Sequence, residues 1–496
     1  MKTTPMKHQE VGIELLAQHP EFYGLGAEQG TGKTWMLLSD IECAVAAGDI
    51  NAVAVIAPKG VHTNWTRREI PEHMELEVDA LAWVSGPNMG QKQEMKRILT
   101  PSQRRGEVTV LSMNIDAVNT TAGYNYLRNF LRIYDCMFIV DESSRIKTPS
   151  AGRTKRLIGL APMAVSRRIA SGTMMPNGPP DLFSQMEFLS PGGRLLGTSS
   201  YRAFVAEFAE MLPASHPLMH HVMERMKKRR GGKEIHEKAM PRMMATNPDG
   251  TPKWKNLDKL QTLIKPHIFR VLKKDCLDLP DKIYQTYDFA LPAAQRRIYD
   301  EAEKQLRYQR DTGELDVFTA LTRIMKLRQI VSGFIMLDGE ATTLMEKNPR
   351  LDLFMELIED LDGQFIVWAS FREEIAQIAA ALNKAGISAV QYHGGVKTKD
   401  REEAVDGFQS GKVRAFIGQP QSGGIGLTLT AASTAIYYSN DYNSETRLQS
   451  EDRCHRIGTT HPVVYIDIVA AETIDERIVS ALRRKEDIAK RVLNYL

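Results

Sequence analysis

The stretch AEQGTGKT, Ala27 to Thr34, sets two glycines, a lysine and a threonine at a spacing suited to gripping a polyphosphate. Gly30 and Gly32 can adopt positive φ and carry no Cβ, so consecutive backbone N–H groups can curl around an anion where a helix begins. Lys33 is placed to reach β and γ phosphates, and Thr34 offers a hydroxyl to Mg2+. The helix that Thr34 opens directs the positive end of its dipole at the same charge. Glu28 and Thr31 lie in the same turn and are counted with it as nucleotide-binding residues. The strict phosphate-loop pattern wants glycine where Ala27 stands. The flanks supply context: EFYGLG reads as a short strand, and Leu37, Leu38, Ile41, Ala44 and Val45 recur at helical spacing. The competing reading is an ordinary glycine-rich loop between a strand and a helix.

Two carboxylates complete this chemistry. Asp141 and Glu142 follow the apolar run CMFIV, so both stand at the carboxyl end of a buried strand. There Asp141 is placed to hold Mg2+ through its waters, and Glu142 to orient and deprotonate an attacking water. Adjacent acidic residues are also common on solvated surfaces, and it is the apolar strand and the phosphate loop before them that favour catalysis. Gln9, ahead of an amphipathic run through Val11, Leu15 and Leu16, could hydrogen-bond an adenine edge or be an exposed helix residue.

The elements that must position these groups are legible as short Val- and Ile-rich runs. NAVAVIAP (51–58), VTVLSMN (108–114) and CMFIVDE (136–142) read as parallel strands separated by helical patterns, and SRRIASGT adds another. A second series, GQFIVWAS, SAVQYHG, VRAFIGQP, TAIYYSN and VVYIDIVA, follows from about Arg350. Between them, from Gly192 to about Met345, helical, Met-rich and basic segments predominate. One run, Lys227, Lys228, Arg229 and Arg230 beside two glycines, could touch a phosphate backbone or be a solvated insertion.

Composition sets limits without choosing a function. The 496 residues are 43% hydrophobic and 25% charged, enough for several domains, and the formal charge of +3 is near balance. Any nucleic-acid surface must therefore come from local clustering of basic groups. Cys43, Cys136, Cys276 and Cys454 are scattered and form no C-x-x-C pair, which argues against a zinc site or disulfide framework. The N-terminus lacks an apolar signal region, and no run of eighteen apolar residues occurs, so a soluble intracellular protein is expected.

In order, these segments resemble the Swi/Snf-type branch of helicase superfamily two, the nucleic-acid-translocating ATPases. MKHQ resembles the adenine-reading segment, AEQGTGKT motif I, APKGVHTNW motif Ia, VLSMN motif Ib, VDESSRIKTP motif II and SGTMMPNGPPDLFSQMEFLSP motif III. HIFRVLKKDCLDLPDK resembles the signature that separates this branch from other superfamily members. FIVWASFREE, QSGGIGLTLTAAS and RLQSEDRCHRIG resemble motifs IV, V and VI, and the last contains Gln449, Asp452, Arg453, His455, Arg456, Ile457 and Gly458.

The resemblance implies two tandem RecA-like doubly wound lobes of α/β class with helical protrusions between them. The expected boundaries are residues 1–190, 191–345 and 346–496. It implies ATP and Mg2+ as cofactors, Arg453 and Arg456 as arginine fingers, and Gln449 beside the nucleotide. It places nucleic-acid contacts at Lys59, Asn64 and Trp65 of motif Ia, Ser112 and Asn114 of motif Ib, and Ser422, Gly423 and Gly424 of motif V. The expected partner is DNA, double-stranded by the family's pattern, with another nucleic acid or a protein partner as alternatives. No membrane is involved, and a monomer in a bacterial or virus-infected cytoplasm is expected, with the nucleus left open. The expected activity is an ATP-driven DNA translocase; a strand-separating helicase and an ATP-responsive clamp without efficient hydrolysis are the competitors. Motif II has Ser144 in place of the usual histidine, which questions how hydrolysis is coupled to motif III; motif III has Ser171 for threonine and Met174 for proline, and neither departure touches the phosphate, metal or water positions.

Overall fold

The computed structural model describes residues 1–103, 105–217, 219–220, 223, 243–311, 317–337, 340–421, 427–456 and 458–493. They form two compact units: Met1–Phe208 with Trp254–Asp278 and Glu486–Leu496, and Ala209–Lys253 with Leu279–Lys485.

The first unit is built on seven strands, β1 (Phe22–Ala27), β2 (Ala52–Ala57), β3 (Val78–Ala82), β4 (Val108–Asn114), β5 (Cys136–Asp141), β6 (Ser166–Ala170) and β7 (Ile268–Val271). Their order is β3-β4-β2-β5-β6-β1-β7, and every pairing is parallel. β2 shows why its residues choose a central strand. Ala52, Ala54 and Ile56 face one core with Leu111, Phe138 and Phe130, while Val53, Val55 and Ala57 face another with Ile139, Leu37 and Trp65. Both faces are covered by helices, so the strand reads as a continuous apolar run. α1 (Lys7–Gln18) and α2 (Lys33–Ala46) cover the second of these faces.

Within that layer Arg168 of β6 and Asp40 of α2 form a buried ion pair, Nε to Oδ2 2.8 Å, at 1% and 5% exposure. Arg168 also donates to the carbonyls of Pro20, Arg167 and Leu16, so the guanidinium is compensated by more than its charge partner.

The second unit repeats the plan with six strands in the order β12-β13-β11-β14-β15-β8, all parallel. These are β8 (Lys282–Phe289), β11 (Phe365–Trp368), β12 (Ala389–Tyr392), β13 (Ala415–Gly418), β14 (Thr434–Tyr437) and β15 (Val463–Ala470). A separate antiparallel hairpin joins β9 (Phe334–Leu337) to β10 (Glu340–Thr343). Arg350 is buried at the centre of this unit, donating to the Tyr438 carbonyl at 2.9 Å and pairing with Asp475. The two sheets match two RecA-like lobes.

The stretch expected to be a helical region, 191–345, differs from that expectation. It does hold helices Ala293–Asp311 and Val317–Val331, but also β7, which extends the first sheet, and β8, which extends the second. The units change over between Asp278 and Leu279. Both strands lie at sheet edges, and β8 is exposed along nearly its whole length, so neither presents an apolar run. The C-terminal helix spans Ile474–Leu493, and Val492 and Leu493 sit in the core of the first unit. The basic run Lys227–Arg230 lies outside the described residues. No helix among the described residues is long and apolar enough to cross a membrane.

Candidate active site

The site grows from the carboxyl edge of the first sheet. β1 ends at Ala27 and turns through Gly30, φ 83°, and Gly32, φ 85°, into α2. Left-handed backbone at both points is what glycine permits at low cost. A Cβ on Gly32 would meet Gln9 Nε2 at 2.0 Å, so the turn is closed from outside by α1. Lys33 Nζ points into the loop, donating to the carbonyls of Ala27 at 2.8 Å and Glu28 at 3.2 Å. Thr31 is 1% exposed and donates its hydroxyl to Glu28 O at 2.8 Å. Its side chain therefore braces the turn from within.

Gln9 is buried rather than the exposed helix residue of the competing reading. It donates to Thr31 O at 3.3 Å and accepts from the Met6 N–H at 2.9 Å. His8 Nε2, 2.8 Å from Thr31 O, donates to the same carbonyl. Glu28, counted from sequence among the nucleotide-binding residues, reaches toward β7: it accepts from the Lys273 N–H at 2.8 Å, with Arg270 3.8 Å away. Arg270 in turn donates to Gly26 O at 2.6 Å and Gly172 O at 3.4 Å, tying the phosphate loop to motif III.

Asp141 ends β5 and Glu142 follows it; β5 is separated from β1 by β6 alone, roughly 10 Å across two strand spacings. Both carboxylates are buried, and Glu142 holds a left-handed conformation, φ 53°. Asp141 accepts from Trp65 Nε1 at 3.0 Å and from the Glu142 N–H at 3.0 Å. Burial pushes its pKa above the usual carboxylate range, while the indole, the Lys33 ammonium and the amide pull the other way. Glu142 accepts from the Ser171 hydroxyl at 3.2 Å. Ser143 donates to Gln185 at 2.7 Å, and Gln185 donates to Met174 O at 2.7 Å. Motif II is thus linked to motif III through Ser171 and Gln185.

Two residues assigned from sequence to nucleic-acid contact are corrected. Trp65 is fully buried with its indole on Asp141, and Ser112, also fully buried, donates to His62 O at 2.7 Å. Neither has surface to offer a polymer. Lys59 and Asn64 are exposed, as are Arg67 and Arg68 just beyond. Asn114 is half-buried and accepts from the Ala117 N–H as a helix cap. Ser422, Gly423 and Gly424 lie outside the described residues, as does Ile457.

Motif VI belongs to the second unit. Gln449 lies on the helix Ser444–Glu451 and donates to Glu445 at 3.4 Å. Arg453 is buried, and Arg456 donates to Thr428 Oγ1 at 2.9 Å. The segment is held by β8 and the residues before it. His455 Nε2 donates to Pro280 O at 2.6 Å, and Glu451 accepts from Lys282 at 3.2 Å and Tyr284 at 2.7 Å. Burial opposes ionisation of Glu451, but Lys282, Arg447 and the Tyr284 hydroxyl prevail and draw its pKa down to about 2. The signature HIFRVLKKDCLDLPDK is therefore divided: its first half braces the phosphate loop, its second half braces motif VI. Its mixed charges hid both strands from a periodicity reading.

The donors present fit the expected groups. The two left-handed glycines, with the Lys33 ammonium held on the carbonyls of Ala27 and Glu28 in the same loop, suit a cradle for phosphate oxygens. Mg2+ usually takes one or two carboxylates plus phosphate oxygens and waters, which suits Thr34 with Asp141. The family models agree with this geometry. The SNF2-related domain matches residues 8–333, and the helicase conserved C-terminal domain matches residues 349–458. The chain belongs to the SNF2-related family and carries a helicase conserved C-terminal domain after the SNF2-related one.

An uncharacterised ATP-dependent helicase of Mycoplasma genitalium is 28% identical over 49% of this chain and 24% of its own length. The chromatin structure-remodeling complex subunit snf21 of Schizosaccharomyces pombe is 26% identical over 95% of this chain and 37% of its own. A second uncharacterised ATP-dependent helicase, from Mycoplasma pneumoniae, is 23% identical over 99% and 42%. The chain thus spans 24% to 42% of the length of these relatives. Among solved structures, the Sulfolobus solfataricus SWI2/SNF2 ATPase core in complex with dsDNA aligns over 99% of this chain and 97% of that one, with 20% identity and a TM-score of 0.40.

Proposed function

We propose that this chain is an ATP-driven motor that moves along duplex DNA and remodels DNA or protein–DNA structures. The observation that carries the reading is the convergence of Lys33, Asp141 and Glu142 at one edge of a parallel sheet, in a chain of the SNF2-related family. In this reading Gly30, Gly32 and Lys33 hold the phosphates, with Gln9 closing the turn behind them. Thr34 and Asp141 hold Mg2+, whose charge when bound neutralises that on the phosphates. Glu142, fixed by Ser171, orients a water and takes its proton. Arg453 and Arg456 are assigned as the fingers that stabilise charge on the transferring phosphoryl group, with Gln449 nearby. Lys59 and Asn64, joined by Arg67 and Arg68, are assigned to the phosphate backbone, where contacts are independent of sequence and weakened by salt.

ATP hydrolysis measured with no polymer, duplex DNA, single-stranded DNA and RNA, with Glu142→Gln as control, tests the reading. Strong stimulation by duplex supports it. Best stimulation by single strands, with separation of a forked duplex, replaces it by a helicase. Hydrolysis indifferent to every polymer leaves a clamp.

A further inference from the structure

We propose that Trp65 is a positioning residue for the metal-binding carboxylate, so that motif Ia sets the aim of Asp141. The inference rests on the reading of Asp141 as the residue that holds Mg2+.

Trp65 is fully buried, and its Nε1–H reaches Asp141 Oδ2 at 3.0 Å. The Glu142 amide occupies the other oxygen, Oδ1, at 3.0 Å. Each carboxylate oxygen can accept twice, so one donor apiece fixes the plane of the group and leaves a lone pair on each oxygen for metal-bound water. Groups that orient ligands in this way tune metal affinity strongly, although they never touch the ion.

The indole is itself held. The Trp65 N–H donates to Val61 O, and the Ser112 hydroxyl fastens the carbonyl of His62. From Trp65 to Glu69 the backbone is a π-helical turn, a form found mostly as single-turn bulges in helices and frequently at functional sites. The same turn leaves Arg67 and Arg68 exposed while Trp65 points into the core. One short segment therefore carries both exposed basic groups and the donor to Asp141.

The test compares Trp65→Phe with Trp83→Phe. Trp83 is a buried tryptophan of the same unit whose Nε1 has no hydrogen-bond partner, so its variant loses similar volume but no donor. Binding of a fluorescent ADP is titrated with Mg2+, and again in EDTA, alongside thermal unfolding. Trp65→Phe is expected to raise the half-saturating Mg2+ concentration about tenfold. Binding in EDTA stays unchanged, and Trp83→Phe leaves the Mg2+ dependence at the wild-type value. Equal Mg2+ dependence in the two phenylalanine variants overturns the positioning role. Asp141→Asn separates this from a failure of the underlying assignment: if it too leaves the Mg2+ dependence unmoved, the metal role of Asp141 falls and the proposal with it. Should Trp65→Phe fold poorly, replacing Trp65 by 3-benzothienylalanine keeps the shape and removes the donor, and the same two outcomes decide.

Discussion

Glu142 occupies left-handed backbone at φ 53°, a region that costs a non-glycine residue about 1–2 kcal/mol. The surroundings that hold it there include Ser171 on one carboxylate oxygen and the turn Ser143–Ile146 that follows, in which Ser143, Ser144 and Ile146 are buried. If this carboxylate takes the proton from water, Glu142→Gln keeps shape and hydrogen bonding but loses the base. Hydrolysis is then expected to fall by about 10² to 10⁴, with nucleotide affinity little changed, as read by single-turnover kinetics beside equilibrium binding. Arg456→Ala tests the other side of the chemistry. A finger contributes about 10³ to 10⁵ in rate, so turnover should collapse while nucleotide still binds, and unchanged turnover removes Arg456 from that role. At this scale the sequence was informative where chemistry fixes residue type, as at Lys33, Asp141 and Glu142. It misled at Trp65 and Ser112, because a motif names a segment without saying which of its side chains face inward. The burial of Trp65 follows from its place against β2 and β5, which no local pattern encodes.

The elements show the same division between what local pattern reveals and what only assembly reveals. Central strands such as β2 and β5 are buried on both faces and announce themselves as apolar runs. β7 is four residues long and β8 sits exposed at an edge, so both were hidden in a charged stretch. Yet these two strands carry the braces: Arg270 on the phosphate loop, and Lys282 and Tyr284 on Glu451. Coupling of helix to strand also depends on buried charge. Asp40 on α2 neutralises Arg168 on β6, and Asp40→Ala would leave a guanidinium buried without its partner. The expected cost is about 3–5 kcal/mol, measured by denaturant unfolding of the whole chain. A loss below 1 kcal/mol would mean that the carbonyls of Pro20, Arg167 and Leu16 satisfy Arg168 by themselves.

At the level of the whole molecule, acid should strike the second unit through Glu451. Its pKa is about 2 in the folded protein against an ordinary value of 4.5, so its stabilisation is complete above about pH 4.5 and lost as pH falls toward 2. The displacement corresponds to about 3 kcal/mol, and Glu451→Gln should flatten the acid limb of a stability–pH curve over that interval. A limb of unchanged slope would show that other groups govern it. Two sheets of similar plan were legible from their spaced strands, whereas the division of the chain between them was not. The first unit is assembled from three separate pieces, and its last contribution, Val492 and Leu493, closes a core whose other members were specified long before. During synthesis about 200 residues separate Asp278 from Glu486, roughly 10–40 s of elongation in a bacterium or eukaryote. For that interval the nascent domain keeps an apolar seam open, so its exposure to chaperones and proteases on the ribosome is written into its connectivity.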